Sequence, residues 1–403
     1  MSDGGNGVES GGESRTDTDT DTSAGPGAGT EGVGGDSGGG VGVGGGVTGR
    51  RVRSRARWVA GAVAGAVLVS GIGLWATDTW PFRDTYCWGA WQQNSGAYFL
   101  GEKALGTSGS ERKATESAPP SADRPDATCT VTVNSTVPDD DADEPLRFKE
   151  RVTVDYGPVP ESAEKRRAWI ARNFHGSVSP LPDGLTGLVG TDRAMLVLPE
   201  KCDTADRPSV VTLRTESRGD GHLGKVFPPF AMGTRTEVAQ MLLDVADATM
   251  RQAGCAPSAP LSMTSPLITV AEKEQSAARP LCRIPGVTFD LGEEYRFRQQ
   301  VGTVGDRLQT CSMVWSTLGV PDEPAAQYVM AGEPRLAAIF DGLPEGAAHG
   351  LVHAMCDGRR TAFYGHVDPG GQGRGVPDDQ QVFENFTRSV SRRIGCDTGN
   401  DNR

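Results

Sequence analysis

Residues 58–76 read WVAGAVAGAVLVSGIGLWA, a run of 19 positions without a charge. Wound as a helix at about 1.5 Å per residue, the run reaches about 28 Å, close to the ~30 Å hydrocarbon thickness of a bilayer, so the pattern predicts one membrane-spanning helix. Beyond it, apolar and polar positions begin to alternate. Cys129, Val131 and Val133 share one face of a predicted strand, and Cys311, Met313 and Trp315 share one face of another. Further strands are expected at 146–156, 195–198, 210–215, 295–302, 325–330, 350–355 and 361–367, with short helices at 163–174 and 334–340. Two longer helices show apolar spacings of three and four. One carries Val238, Leu242, Val245 and Thr249, the other Val382, Phe383, Phe386, Val390 and Ile394.

The two halves of this pattern match. Each long helix ends in Gly-Cys, at Gly254-Cys255 and Gly395-Cys396, and each short helix precedes a similar turn, Leu181-Pro182-Asp183-Gly184 or Leu343-Pro344-Glu345-Gly346. An Asp follows the third cysteine of each half, in Cys202-Asp203 and Cys356-Asp357, and Asp357-Gly358 reads as a two-residue hairpin turn. The expected fold is therefore α+β: two tandem copies of a disulfide-braced antiparallel sheet in β-β-α-β-β-α order, with helices packed on one face. An additional early strand in the second copy fits 295–302.

The eight cysteines follow the same division, with Cys87, Cys129, Cys202 and Cys255 in the first set and Cys282, Cys311, Cys356 and Cys396 in the second. All lie beyond the apolar run and none forms a C-x-x-C pair, so a disulfide framework in an oxidising compartment is expected in place of a metal site. Four cysteines allow three connectivities. First with second and third with fourth is preferred, because it would staple the closing helix to the sheet; nested pairing is the rival.

Arg50, Arg51, Arg53, Arg55 and Arg57 precede the apolar run, and Asp78 follows it. By the positive-inside rule the N-terminus is cytoplasmic and residues 78–403 are extracellular, in a single-pass protein of the cell membrane that contacts the lipid bilayer through one helix. Gly61 and Gly65 have the spacing that lets two such helices approach as a homodimer, although Gly and Ala are abundant throughout the chain. The domain boundaries read as a Gly/Thr/Asp-rich disordered tail (1–49), a basic stop (50–57), the span (58–76), a first module (78–255), a Pro/Ser/Ala-rich linker (256–280), a second module (281–396) and a short tail (397–403). Within the linker, 267–270 could add an edge strand. The formal net charge of −12 argues against nucleic acid or an anionic polymer as the main partner.

This architecture, with its richness in Gly, Ala, Arg, Asp and Pro, resembles the single-pass membrane-anchored surface proteins of actinobacteria (Streptomyces-like). The resemblance covers architecture and transfers no functional residue.

Candidate chemistry is sparse. His349, His353 and His366 lie near one another in sequence and invite a metal or acid–base reading, but on a strand, positions four apart lie two side chains away. Isolated histidines on a sheet are the preferred account. The acids Asp139, Asp140, Asp141, Asp143 and Glu144 read as a solvated turn, since the glycine and terminal Glu of a calcium loop are missing. Nucleophile-elbow, zincin and phosphate-loop motifs are absent. No catalytic, cofactor-binding or metal-ligating residue is therefore assigned and no cofactor is implied. The expectation is a non-enzymatic binding module of the cell envelope, with an envelope protein, glycan or small ligand as partner. The alternative is an envelope enzyme, hydrolase-like, with a polar pocket in one module and not the other.

Overall fold

The computed structural model describes residues 84–105, 110–137, 146–219, 226–227, 229–270, 280–288, 297–315, 324–367 and 379–397. The expected tail, basic stop and membrane span lie outside these residues, as does the acidic turn at 139–144. No helix among the described residues is long and apolar enough to cross a membrane.

A small hairpin, β1 (Thr85–Tyr86) with β2 (Trp91–Gln92), precedes two antiparallel sheets. The first sheet is built from β3 (Glu111–Glu116), β4 (Ala127–Val137), β5 (Leu146–Pro158), β6 (Ser179–Pro180), β7 (Gly187–Val189), β8 (Arg193–Val197), β9 (Ser209–Gly219) and β10 (Val226–Phe227). Its order is β3-β4-β5-β9-β8-β7-β6, with β10 on β9. The second contains β11 (Phe297–Val301), β12 (Leu308–Trp315), β13 (Pro324–Ala331), β14 (Leu351–Cys356) and β15 (Arg359–Val367), in the order β11-β12-β13-β15-β14. Leaving aside the two-to-three-residue strands, both sheets run first, second, third, fifth, fourth. The opening strand β3 was not expected, because Glu-Arg-Lys-Ala-Thr-Glu shows no apolar alternation. It is an edge strand whose side chains are mostly exposed.

Helices α1 (Ala163–Asn173) and α3 (Pro334–Ala337) follow the third long strand of each sheet; α2 (Arg235–Ala253) and α4 (Asp379–Arg393) close each half. Local chemistry sets their ends. Ser162 caps α1 by accepting from the Lys165 N–H, and Thr234 with Glu237 forms a reciprocal capping box on α2. Gly254 ends α2 at φ +73°, where a side chain would be strained. The Asp357-Gly358 turn joins β14 to β15 as expected, both residues at positive φ.

Successive strand residues point to opposite faces, and each sheet buries apolar residues on both, so the expectation of helices on one face needs correction. Val152, Val154, Val211 and Leu213 pack with α2 in one cluster, while Tyr328, Met330 and Phe363 pack with α4 in another. The opposite faces meet in a third cluster, in which Ile170, Phe174, Met195 and Val197 of the first half join Val329, Phe340, Ala362 and Tyr364 of the second. The periodicity of α1 and α3 fixed that they had an apolar side but not which sheet face it would cover. Residues 79–403 accordingly pack as one unit.

Four disulfides brace this unit: Cys87–Cys129, Cys202–Cys255, Cys282–Cys311 and Cys356–Cys396. The first member of each half ties the segment ahead of the sheet to its second long strand. The other ties the end of the closing helix to the 3₁₀ turn Glu200–Cys202 between β8 and β9 in the first half and to β14 in the second. The linker forms no strand at 267–270. The Leu261 N–H instead donates to Asp247, and the N–H groups of Thr264 and Ser265 donate to Asp183. Pro266, just ahead of 267–270, has no N–H to donate, and the Ile268 carbonyl accepts from the Thr303 hydroxyl in place of a strand partner.

The aromatic residues between positions 80 and 99 divide. Tyr86, Trp91 and Phe99 are core, Trp91 Nε1 donating to the Met241 carbonyl, whereas Trp80 and Phe82 lie outside the described residues.

Candidate ligand cleft

A cleft of about 210 Å³ opens at one end of the second sheet, lined by Arg167, Tyr328, His349, His366, Asp379 and Phe383, among others. Two glycines set its floor. Gly350 takes φ +65°, and a Cβ there would lie 2.1 Å from the Gly365 carbonyl oxygen. The Gly365 N–H donates to the Gly350 carbonyl at 2.8 Å, which draws the turn carrying His349 against β15. A Cβ on Gly365 would lie 2.5 Å from Phe383 and 3.0 Å from Tyr328, so only glycine allows both rings to close over the strand.

The first turn of α4 supplies Asp379 beside this floor, and α1, from the first half, supplies Arg167. Burial pushes the Tyr328 phenol well above its ordinary pKa, and the negative charge of Asp379 adds to the effect. Tyr328 therefore keeps its proton at neutral pH, so its hydroxyl is able to donate a hydrogen bond and unsuited to act as a base. Behind the cleft, burial raises the Tyr364 phenol to about 12, against the opposing influence of Arg167.

The three second-half histidines separate. His349 ends a 3₁₀ turn, Ala347–His349, and not a strand; Gly350 at positive φ forces the chain out of register there. His349 and His366 line the cleft, and His353 does not. Its ring lies 3.1 Å from Glu345 and 3.8 Å from Asp341, with Arg360 paired to Asp341 at 2.7 Å. Burial and the Arg360 charge lower its pKa. In the first half, His175 lies 2.9 Å from Arg193, which pairs with Asp192 at 2.6 Å. Burial alone would raise the Asp192 carboxyl, but the Arg193 guanidinium holds it below the usual range. Among the described residues no group of three or more His, Cys, Asp or Glu is placed to hold a metal, and every described cysteine is in a disulfide.

At the matched positions of the first sheet the described residues are apolar and buried. Across that sheet Cys129 stands opposite Val154 and Val154 opposite Leu213. In the second sheet Cys311 stands opposite Tyr328 and Tyr328 opposite Gly365. Counting back equally from Cys255 and Cys396, Val238 holds the place of Asp379. An apolar trio, Val154, Leu213 and Val238, thus occupies the positions where the second half has a phenol, a glycine and a carboxylate. Tyr328, Asp379 and Arg167 were missed in the sequence. The available signal was Gly365, inside a predicted strand and with no turn to explain it.

No protein-family model, curated protein or solved structure matches this chain.

Proposed function

We propose that the chain is a single-pass envelope protein, anchored through residues 58–76 with its arginine-flanked N-terminus in the cytoplasm. Its exterior is then two copies of one disulfide-braced module, of which the second binds a small polar ligand between His349, His366, Tyr328 and Asp379. The common strand order and matched disulfides support the duplication. The observation that carries the binding reading is the exchange of Val154, Leu213 and Val238 for Tyr328, Gly365 and Asp379 at matched positions. One copy keeps a closed apolar core; the other gives up packing to line a polar cavity. A copy that served bracing alone would have no reason to make that exchange.

An enzyme acting in the same cleft is the second reading, favoured by the two histidines and the carboxylate that line it. The protonated Tyr328 fits either, as a donor to a bound oxygen.

Native mass spectrometry of the full chain isolated from its own envelope tests the proposal. A small molecule should accompany the protein and be lost from an Ala348→Phe variant, which places a ring at the exposed rim without entering the core. Equal retention by that variant would remove the cleft from consideration. Chemical conversion of the released molecule by the protein, abolished in Asp379→Asn, would favour the enzyme.

A further inference from the structure

The opposite face of the first sheet carries a second concavity, of about 400 Å³, lined by Lys113, Thr115, Thr130, Thr132, Asn134, Lys149 and Arg151. Strand register arranges this face in rows. Glu111, Asn134, Lys149 and Arg218 stand side by side across β3, β4, β5 and β9; the next row is Lys113, Thr132, Arg151 and Glu216, and the third is Thr115, Thr130, Thr153 and Arg214. Alternation makes every residue of these rows point away from α2.

Five of these twelve positions are cationic and two are acidic. Arg151 and Arg218 both approach Glu216, at 3.5 and 3.8 Å, and Arg214 pairs with Asp155 at 2.7 Å. Lys113 and Lys149 have no ion-pair partner among the described residues. Thr132 lies between Lys113 and Arg151 with its hydroxyl available as donor or acceptor. Matched positions of the second sheet, Ser312 and Gln327, are fully buried, Gln327 donating to the Ile170 carbonyl of the first half, whereas Thr130 and Thr153 are only partly covered. The first sheet alone leaves this polar face open.

From these rows we infer that the β3-β4-β5 face is a binding site for a phosphate-bearing polymer, a phosphodiester-linked chain of repeated negative charge. Lys149 and Arg151 are separated by about 7 Å along one strand, and Lys113 and Arg151 by about 10 Å across two. A single phosphate reaches one or two of these cations, while a chain of phosphates engages all three together and displaces the weak Glu216 pairing. No aromatic ring stands in the rows, so the stacking that a neutral sugar would use is missing. The net charge of −12 had argued against such a partner. Fields from exposed charges fade within roughly 8–10 Å at physiological salt, so the rows set the attraction against most acids of the chain. Those of the β4–β5 connection, Asp139, Asp140, Asp141, Asp143 and Glu144, lie within a few residues of Asn134 and Lys149 in sequence and oppose it.

The test is binding of the full-length chain to a fluorescent glycerol-phosphate oligomer, followed by anisotropy beside inorganic phosphate and a neutral dextran. The oligomer should bind, inorganic phosphate should compete only weakly, and dextran should not bind. Affinity should fall roughly tenfold between about 50 and 200 mM salt, as expected when two to three phosphates are neutralised. The pair Lys113→Glu with Lys149→Glu should weaken binding by roughly tenfold or more, while Lys165→Glu, on α1, should leave it unchanged. Both variants lie on exposed positions, and retention of four disulfides by non-reducing mass spectrometry confirms their folding. Undiminished binding by the double variant, equal binding to dextran, full competition by inorganic phosphate, or no binding of the oligomer at low salt would each overturn the assignment.

Discussion

The guanidinium of Arg335 meets the carboxylate of Asp203 through two parallel hydrogen bonds, Nη1 to Oδ2 at 2.6 Å and Nη2 to Oδ1 at 2.7 Å. Nη2 also donates to the Leu198 carbonyl. One partner opens α3 in the second half, and the other follows Cys202 in the first. The contact closes a seam whose apolar part is the shared middle cluster. Both side chains are about four-fifths covered, at 23% and 21% exposure.

Asp203→Ala should lower unfolding free energy by about 1–3 kcal/mol, the range for losing a partner of a charged hydrogen-bonded pair. Arg335→Ala should cost a similar amount, and the double variant little more than either alone. Urea denaturation of the four proteins measures this. Simple additivity would show that the pair does not couple the halves.

Gly365→Ala should destabilise the protein by about 1–3 kcal/mol through overpacking against Phe383 and Tyr328. Adding Phe383→Leu, which removes the ring atom in the way, should recover part of that loss. Thermal melts of the single and double variants decide the matter; a harmless Gly365→Ala would mean the floor of the cleft is not tightly packed.

Asp183 should hold the linker in place down to unusually low pH. Hydrogen bonds from Ser265, and then from Thr264, depress its carboxyl well below the ordinary carboxylate range. A depressed carboxyl contributes its stabilisation above the unfolded pKa, near 3.9, and loses it only as pH falls through the lower folded value. Amide exchange at Thr264 and Ser265 should therefore stay slow at about pH 4 in the native chain and be fast already at neutral pH in Asp183→Ala. Equal exchange in both would remove the latch.

His353 should make the protein sensitive to mild acid. Its folded pKa is lowered by burial and by Arg360, so as pH falls below about 6.5 the unfolded chain takes up the proton first. Stability is full above that value and declines below it. Between about pH 7 and about pH 5.5 the urea midpoint should drop more for the native chain than for His353→Gln. Identical slopes would exclude His353 as the source.

Much of this fold was legible residue by residue. The strand bearing Cys129, Val131 and Val133, the Gly-Cys ends of both long helices and the Asp357-Gly358 turn all follow from local spacing. Asp203 was visible as one of two matched Cys-Asp pairs, though nothing local indicated that Arg335 would meet it. Strand β3 was not legible, because an exposed edge strand needs no apolar alternation. His349 was misplaced because a 3₁₀ turn of Ala-Ala-His looks like the start of the strand behind it.

The sequence by itself determined the secondary elements, their order and the matched cysteines, because periodicity and capping act between residues a few positions apart. Only the tertiary structure decided which sheet face each helix covers, that both halves share a core, and that Tyr328, Gly365 and Asp379 line one cleft. Those outcomes depend on pairing register and on which surfaces exclude water together, which involve residues separated by tens of positions and leave no local trace.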